Sequence, residues 1–138
     1  MRILLDTHVL LWALKGVNGN GEPLPNDIRS ILLDSYNDIF YSSINIFEIE
    51  IKRIVRPQDE LPSGEEIMEF CSEAGFIPLS LRSEHSLMMK SLRKDESVKG
   101  HKDPYDWLLI AQAKFEKMKF LTHDSKLKYY LEDCIIWF

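Results

Sequence analysis

Cysteine is scarce in this chain, which argues against a disulfide framework or a cysteine-rich metal site. Its 138 residues include only two cysteines, Cys71 and Cys134, and they form no CxxC motif. Reduced thiols are the ordinary interpretation of such a pair. With 45% hydrophobic residues, a chain of this length can bury a core without disulfides or a structural metal. We therefore expect one domain that spans residues 1–138.

Long hydrophobic runs and an excess of positive charge are also lacking. No apolar run approaches the roughly 20 residues of a membrane span, and the first apolar strand meets Asp6 too early for a signal peptide. We therefore expect a cytoplasmic protein that does not enter a membrane. The formal net charge of -5 argues against indiscriminate nucleic-acid binding. It does not exclude a nuclease, because clustered carboxylates contribute negative charge that divalent cations cancel.

Short strand patterns alternate with helix patterns along the chain. Apolar segments at 3–5, 39–41, 76–79, 119–122 and 134–137 have the character of strands. Helical spacing and capping residues predict the intervening helices, among them helices over 83–93 and 125–131. This alternation predicts a parallel sheet with helices on both faces. Pro78 indicates that its strand lies at an edge of the sheet.

Four acids fall where such a sheet would place its ligands. Asp6 follows the first strand and Asp124 the fourth, while Glu48 and Asp106 are expected in or near the first turns of helices that leave the same edge. Two carboxylates about 4 Å apart repel by roughly 4 kcal/mol at an effective dielectric of 20. A cation would remove this repulsion, and oxygen ligands alone favour Mg²⁺ or Mn²⁺ over zinc.

Each acid also has a simpler interpretation. Asp6 and Asp124 are good helix caps, and Asp103 before Pro104 suits an N-cap so well that we assign it mainly to capping. Glu48 stands four residues before Lys52, so an exposed ion pair would explain it. Only a shared position at one sheet edge favours a site over these separate explanations.

Five segments together resemble the PIN domain, and more closely the VapC-type toxins of bacterial toxin–antitoxin pairs. The resemblance runs nearly end to end, with its segments in family order at 4–12, 42–52, 75–79, 101–113 and 121–124. It implies a three-layer α/β/α fold around a five-stranded parallel sheet, and Mg²⁺- or Mn²⁺-dependent cleavage of RNA. It also implies a homodimer that a small antitoxin holds inactive.

Carried onto this sequence, the resemblance assigns the catalytic and metal-binding acids and two supporting hydroxyls. The acids are Asp6, Glu48, Asp106 and Asp124, and the hydroxyls are those of Thr7 and Thr122. Two departures from the family pattern concern Trp107, where a basic residue commonly follows the third acid, and the loop from Gly16 to Gly21, which is longer than usual.

Seven basic residues are candidates for RNA contacts, although an ordinary solvated face would explain each one. They are Lys52, Arg53, Lys90, Arg93, Lys94, Lys99 and Lys102. An unpaired loop of tRNA or rRNA is the expected kind of substrate, because proteins read structured RNA mostly at unpaired bases.

Two other classes of protein compete with the nuclease. A PIN-like binding module that has lost catalysis would act through partners, but the complete set of four acids argues against it. A phosphoryl-accepting receiver domain also gathers acids at a parallel-sheet edge. It requires paired acids early in the chain, whereas Asp6 stands alone after the first strand.

Overall fold

A parallel five-stranded sheet forms the centre of the protein, as the sequence predicts. The computed structural model describes residues 1–96 and 100–138. The strands are β1 (Arg2–Leu5), β2 (Asp38–Ser42), β3 (Ile77–Leu79), β4 (Lys119–Thr122) and β5 (Ile135–Trp137). Their order across the sheet is β3-β2-β1-β4-β5, and all neighbours run parallel. Pro78 therefore does lie on an edge strand.

Helices connect the strands. They are α1 (Thr7–Lys15), α2 (Asn26–Leu33), α3 (Ser43–Val55), α4 (Gly64–Ala74), α5 (Ser83–Met88) and α6 (Pro104–Glu116). Side chains just before several of them accept backbone N–H groups that have no partner within the helix. Ser42 caps α3, Ser63 caps α4 and Asp103 caps α6. Among the described residues, no helix is long and apolar enough to cross a membrane.

Side chains from alternate positions of the strands build two cores, one on each face of the sheet. On one face Ile3 and Leu5 pack in a cluster with Ile49 of α3. On the other face Leu4 packs with Leu109 of α6. Since successive strand residues point to opposite faces, this pattern requires helices on both sides. The result is the predicted three-layer α/β/α arrangement.

Two predicted helices are shorter than the sequence indicates. The helix expected over 83–93 ends at Met88 and continues as a single 3₁₀ turn at Met89–Ser91. Only the 3₁₀ turn Leu127–Tyr129 forms within the helix expected over 125–131. The Leu131 N–H donates to the Arg93 carbonyl at 2.8 Å, which keeps both segments extended after their turns. Pairing between distant segments thus replaces local helix formation here.

The sheet order creates one crevice at its centre. From β1 the chain adds β2 and β3 on one side, and later β4 and β5 on the other. Ligands bind at such switch points, outside the carboxyl ends of the strands. Asp6 and Asp124 follow β1 and β4, the two strands that flank the crevice, and the Asp6 N–H donates to the Leu121 carbonyl at 3.0 Å.

Candidate active site

The four predicted acids converge at the carboxyl edge of the sheet. Asp6 precedes α1, Asp106 lies in the first turn of α6, and Asp124 follows β4. Glu48 lies in the second turn of α3, close to the first turn, as the sequence predicts. All four line a cavity of about 160 Å³, together with His8, Ile51, Lys52, Asp103 and Tyr105.

Asp6 is held by hydrogen bonds to both carboxylate oxygens. Its Oδ1 accepts the Thr7 N–H at 2.7 Å, so the acid also caps α1, and its Oδ2 accepts the Thr122 hydroxyl at 2.6 Å. Burial raises the pKa of Asp6, although these hydrogen bonds oppose the rise. The capping and site interpretations are therefore compatible, because one carboxylate serves the helix and faces the cavity.

Glu48 is both buried at the sheet edge and paired with Lys52. Its Oε1 accepts the Thr7 hydroxyl at 2.8 Å, and that hydroxyl accepts an N–H of the Asn45 amide at 2.9 Å. The Lys52 ammonium lies 2.8 Å from Oε2. With 8% of its surface exposed, Glu48 is not the solvated surface residue of the simpler interpretation. Its orientation depends on Thr7, which fixes α3 to α1.

Asp106 is a buried acid that lies among other carboxylates. Its exposed fraction is 7%, and burial together with the negative charges of Asp6, Asp103, Asp124 and Glu48 raises its pKa to about 8. Without a cation in the cavity, this carboxyl therefore keeps its proton at neutral pH. A divalent cation would reverse the effect, because it favours the charged form of every acid around it.

A relay of hydrogen bonds connects Asp106 to Trp107 through two further residues. The Trp107 indole N–H lies 3.0 Å from the Tyr130 hydroxyl, which is 2.7 Å from Nδ1 of His101. Nε2 of His101 is in turn 3.0 Å from Oδ2 of Asp106. The indole can only donate, so we assign the Tyr130 hydroxyl as a donor to Nδ1 of a neutral His101, whose Nε2–H then donates to Oδ2 of Asp106. Burial lowers the pKa of His101, which agrees with a neutral ring.

Trp107, the position that departs from the family pattern, belongs to this relay. Its indole N–H donates to Tyr130, and the relay continues through His101 to Asp106. Sequence reasoning missed His101 and Tyr130 as site residues. His101 stands only five residues before Asp106 and offered a signal, whereas nothing local indicated Tyr130.

Asp124 and Asp103 complete the acidic rim of the site. Asp124 is half-buried, and its Oδ1 accepts the Lys126 N–H at 2.9 Å. Asp103 caps α6 by accepting the Tyr105 N–H at 2.9 Å, as predicted. It also lines the cavity and contributes to the raised pKa of Asp106. The site thus contains a fifth carboxylate that capping alone does not describe.

The donor set suits an oxygen-preferring divalent cation. Within residues 1–96 and 100–138, no three acidic, histidine or cysteine side chains form a ready-made ligand cluster. Lys52 contacts one oxygen of Glu48, and His101 contacts one oxygen of Asp106. Each carboxylate oxygen has two lone pairs, so these contacts leave acceptor capacity. Only oxygen donors of strong negative charge face the cavity from the four acids, which is the ligand chemistry of Mg²⁺ or Mn²⁺.

The predicted RNA-binding residues separate into two groups. Lys52 lines the acid cavity, and Lys102 lines an adjoining cavity of about 340 Å³ beside Asp103, Asp106 and Asp124. Lys126, which the sequence analysis did not select, lines the same adjoining cavity. These three cations therefore lie beside the acids.

The remaining candidates lie elsewhere or bind other partners. Arg53 lies 3.3 Å from Glu50, and Arg93 lies 3.5 Å from Glu132. Lys94 lies over the Trp107 ring, 5.2 Å from its centroid. Lys90 is exposed in the 3₁₀ turn after α5, and Lys99 lies outside the described residues. None of these four described residues lines the acid cavity.

Comparison with known proteins agrees with this architecture. The family described as PIN domain matches residues 3–130. VapBC2 from Rickettsia felis, solved bound to a DNA fragment from their promoter, is 20% identical with a TM-score of 0.66, covering 100% of this chain and 98% of that one. A toxin–antitoxin complex from Klebsiella pneumoniae is 13% identical with a TM-score of 0.56, covering 97% and 95%. No curated protein matches the sequence. The chain belongs to the PIN-domain family.

Proposed function

We propose that this protein is a metal-dependent endoribonuclease and the toxin of a toxin–antitoxin pair. The observation that carries the proposal is the convergence of Asp6, Glu48, Asp106 and Asp124 on one cavity, with the pKa of Asp106 raised to about 8. Crowding carboxylates without equal positive charge destabilises a fold. Function rather than folding therefore accounts for the cluster, and membership of the PIN-domain family agrees with that function.

The four acids would hold Mg²⁺ or Mn²⁺ and act on an RNA phosphodiester. A divalent cation bound there would lower the pKa of a water molecule and offset the charge that develops on the phosphate. Thr122 and Thr7 fix the carboxylates of Asp6 and Glu48 by hydrogen bonds of 2.6 and 2.8 Å. His101 orients Asp106, and second-layer contacts of this kind typically affect metal affinity or activity about 10- to 100-fold.

The partners we propose are an RNA loop, a small antitoxin and a second copy of the chain. Two of the similar solved structures are VapBC2 and a toxin–antitoxin complex, which supports the antitoxin. Lys52, Lys102 and Lys126 beside the acids support a phosphate-bearing substrate, with an unpaired loop of tRNA or rRNA as the first class to test. A homodimer would show as twice the monomer mass in solution.

Cleavage of labelled tRNA and rRNA fragments tests the enzymatic part. Wild-type protein with Mg²⁺ or Mn²⁺ is compared with the same protein in EDTA, with Asp106→Asn, and with Glu73→Gln as a control for charge removal on the exposed side of α4. We expect cleavage only with metal and only by wild type and the control. Equal cleavage by Asp106→Asn would refute the proposed site. Absence of cleavage across all RNAs would favour the non-catalytic binding module.

Growth and co-purification test the toxin part separately. Expression of wild-type protein is expected to arrest growth, whereas Asp106→Asn is expected to be tolerated. Co-expression with the product of an adjacent small gene should restore growth, and that product should co-purify with both proteins. Normal growth on expression of wild-type protein that is active in vitro would contradict the toxin role while leaving the nuclease intact.

A further inference from the structure

A cluster of aromatic rings lies at the same end of the sheet as the acids. It consists of His8, Trp12, His123, Trp137 and Phe138, and we call it the aromatic platform. His123 is its centre: its ring stacks on Trp137 at 5.6 Å and 12°, and its centroid lies 5.4 Å from that of Trp12 and 4.8 Å from that of Phe138. Rings that contact one another in this way form a preassembled surface.

The platform is open to solvent, unlike the aromatic residues of the core. His8 and His123 are exposed, and Trp137 retains 40% exposure. The Trp137 indole N–H donates to the Asp124 carbonyl at 3.0 Å, so the ring is held in place at the surface. The exposed parts of Trp137 and His123 therefore present aromatic surface that does not fill the interior.

The platform is continuous with the acid cavity. His8 is a member of the platform and also lines that cavity, and His123 directly precedes Asp124. A molecule whose phosphate reaches the acids would therefore extend its neighbouring groups over these rings. This continuity distinguishes the platform from isolated exposed aromatics such as Tyr36.

Two lysines lie near the rings and Asp124, although the whole protein is acidic. The Lys128 ammonium lies 4.7 Å from the centroid of the Trp137 ring, and Lys126 lines the adjoining cavity of about 340 Å³ beside Asp124. Aromatic faces interleaved with lysines are the combination that binds single-stranded nucleic acid, in which bases stack and phosphates pair with cations. An acidic or purely apolar peptide would use only one half of this combination.

We propose that the aromatic platform is a base-stacking subsite for single-stranded RNA, next to the phosphate that the acids would cleave. An unpaired base would extend the stack that His123 and Trp137 already form, and Lys128 would contact the adjoining backbone. The proposal rests on the proposed nuclease function for the nature of the polymer, and it adds a specificity determinant. Duplex RNA would bind poorly, because its bases are already stacked and unavailable to the rings.

Binding measurements on the full chain test this subsite independently of cleavage. Fluorescence anisotropy follows labelled RNA that is single-stranded, duplex, or single-stranded with abasic sites, using Asp106→Asn so that no substrate is consumed. On that background we compare Trp137→Ala, Trp137→Phe and, as control, Tyr36→Ala. Tyr36 is 91% exposed and precedes β2, so it lies at the amino ends of the strands, away from the acids.

We expect Trp137→Ala to weaken single-strand binding roughly tenfold, within the range that base–aromatic stacking produces. Trp137→Phe, which keeps a ring, should retain more affinity, and Tyr36→Ala should bind normally. The affinity of Asp106→Asn for abasic RNA should be as low as the affinity of the Trp137→Ala variant for intact RNA. Thermal melting checks that each variant is folded. If a Trp137 variant does not fold, His123→Ala is used in its place.

Equal affinity for intact and abasic RNA would overturn the subsite. So would unchanged RNA binding by Trp137→Ala and His123→Ala together with loss of a co-purifying protein, which would assign the platform to a protein partner. The outcomes separate the two proposals. Base-dependent binding without cleavage by the wild type supports the subsite and contradicts the nuclease, whereas normal cleavage with base-independent binding does the reverse.

Discussion

Two buried carboxylates of this protein, Glu132 and Asp106, are equally inaccessible but differ in their surroundings. Each has 7% of its surface exposed. The Lys114 ammonium lies 2.8 Å from Glu132, and the Arg93 guanidinium lies 3.5 Å away. Burial opposes the charge of Glu132, but these hydrogen bonds and charges hold its pKa below the usual range. For Asp106, burial acts together with the negative charges of four other acids, and its pKa rises to about 8.

The contrast separates a structural acid from a functional one. Glu132 brings together three segments, because its Oε1 also accepts the Arg93 N–H at 2.9 Å. Its charge is compensated within the protein itself. Among the acids around Asp106, Glu48 is paired with the Lys52 ammonium. The negative charge of the cluster still exceeds this positive charge, and it raises the pKa of Asp106. Positive charge from outside the chain completes such a cluster, which makes its dependence on a cation testable.

Exchanging the two acids for amides should give opposite results, and this is the largest effect we expect. Asp106→Asn should reduce RNA cleavage by at least about a hundredfold, beyond the effect of removing a supporting contact, and should leave the fold as stable or more so. Glu132→Gln should keep most activity but lower the free energy of unfolding by about 1–3 kcal/mol, since Lys114 and Arg93 lose their charged partner. Cleavage assays and urea melts measure the two quantities. Loss of stability in Asp106→Asn without loss of cleavage would reverse the assignment.

Divalent cations should stabilise the folded protein by binding at the acid cluster and not at Glu132. Ligand that binds the folded state at about a hundredfold excess over Kd adds roughly 2.7 kcal/mol, so Mn²⁺ should raise the Tm of wild type and of Glu132→Gln by several degrees. The Tm of Asp106→Asn should change little.

Because the cation competes with a proton on Asp106, the affinity of the protein for the cation should increase as pH rises from 6 towards 9. Calorimetric titration checks that pH dependence, and a Tm shift in Asp106→Asn equal to that of wild type would contradict it.

Stability in EDTA should depend on pH with opposite sign for the two acids. The pKa of Glu132 is lowered in the folded state, so its contribution is present above the unfolded value near 4.5 and is lost as pH falls through the folded pKa. The pKa of Asp106 is raised, so its contribution is present below 3.8 and is lost as pH rises through about 8. In Glu132→Gln, the Tm should therefore fall less steeply than in wild type as the pH is lowered into the acid range. In Asp106→Asn, the Tm should decline less than in wild type as the pH rises towards neutral. Profiles parallel to wild type would contradict both.

The sequence predicts the framework of the site because that framework is local. The continuous apolar run Ile3, Leu4 and Leu5, which the structure buries completely, identifies β1, and an acid that follows a parallel strand must lie at its carboxyl edge. Asp6 and Asp124 could therefore be placed without the structure. Glu48 could be selected but not positioned, since its contact with Thr7 joins residues 41 apart in the chain.

Contacts between distant segments account for what the sequence could not predict. Tyr130 reaches His101 across 29 residues, from a turn that was expected to be a helix. The aromatic platform likewise unites Trp12, His123 and Trp137 from three separate elements. No spacing rule relates these positions, because their proximity follows from the strand order β1-β4-β5.

Tyr130→Phe should give the smallest effect and show how finely the acid site is tuned without charge. The substitution keeps the ring, which is 5% exposed, but removes the hydroxyl between Trp107 and His101. The two nitrogens lose a partner, at a cost of about 1 kcal/mol in stability. Cleavage should fall about tenfold as Asp106 loses its oriented donor.

The effect should be reduced in a Trp107→Phe background, where the relay has already lost its first donor. A matched change at Tyr129→Phe, outside the relay, should leave cleavage unchanged. Equal rates for the two tyrosine variants would show that His101 orients Asp106 without help, and that Trp107 does not replace the basic residue.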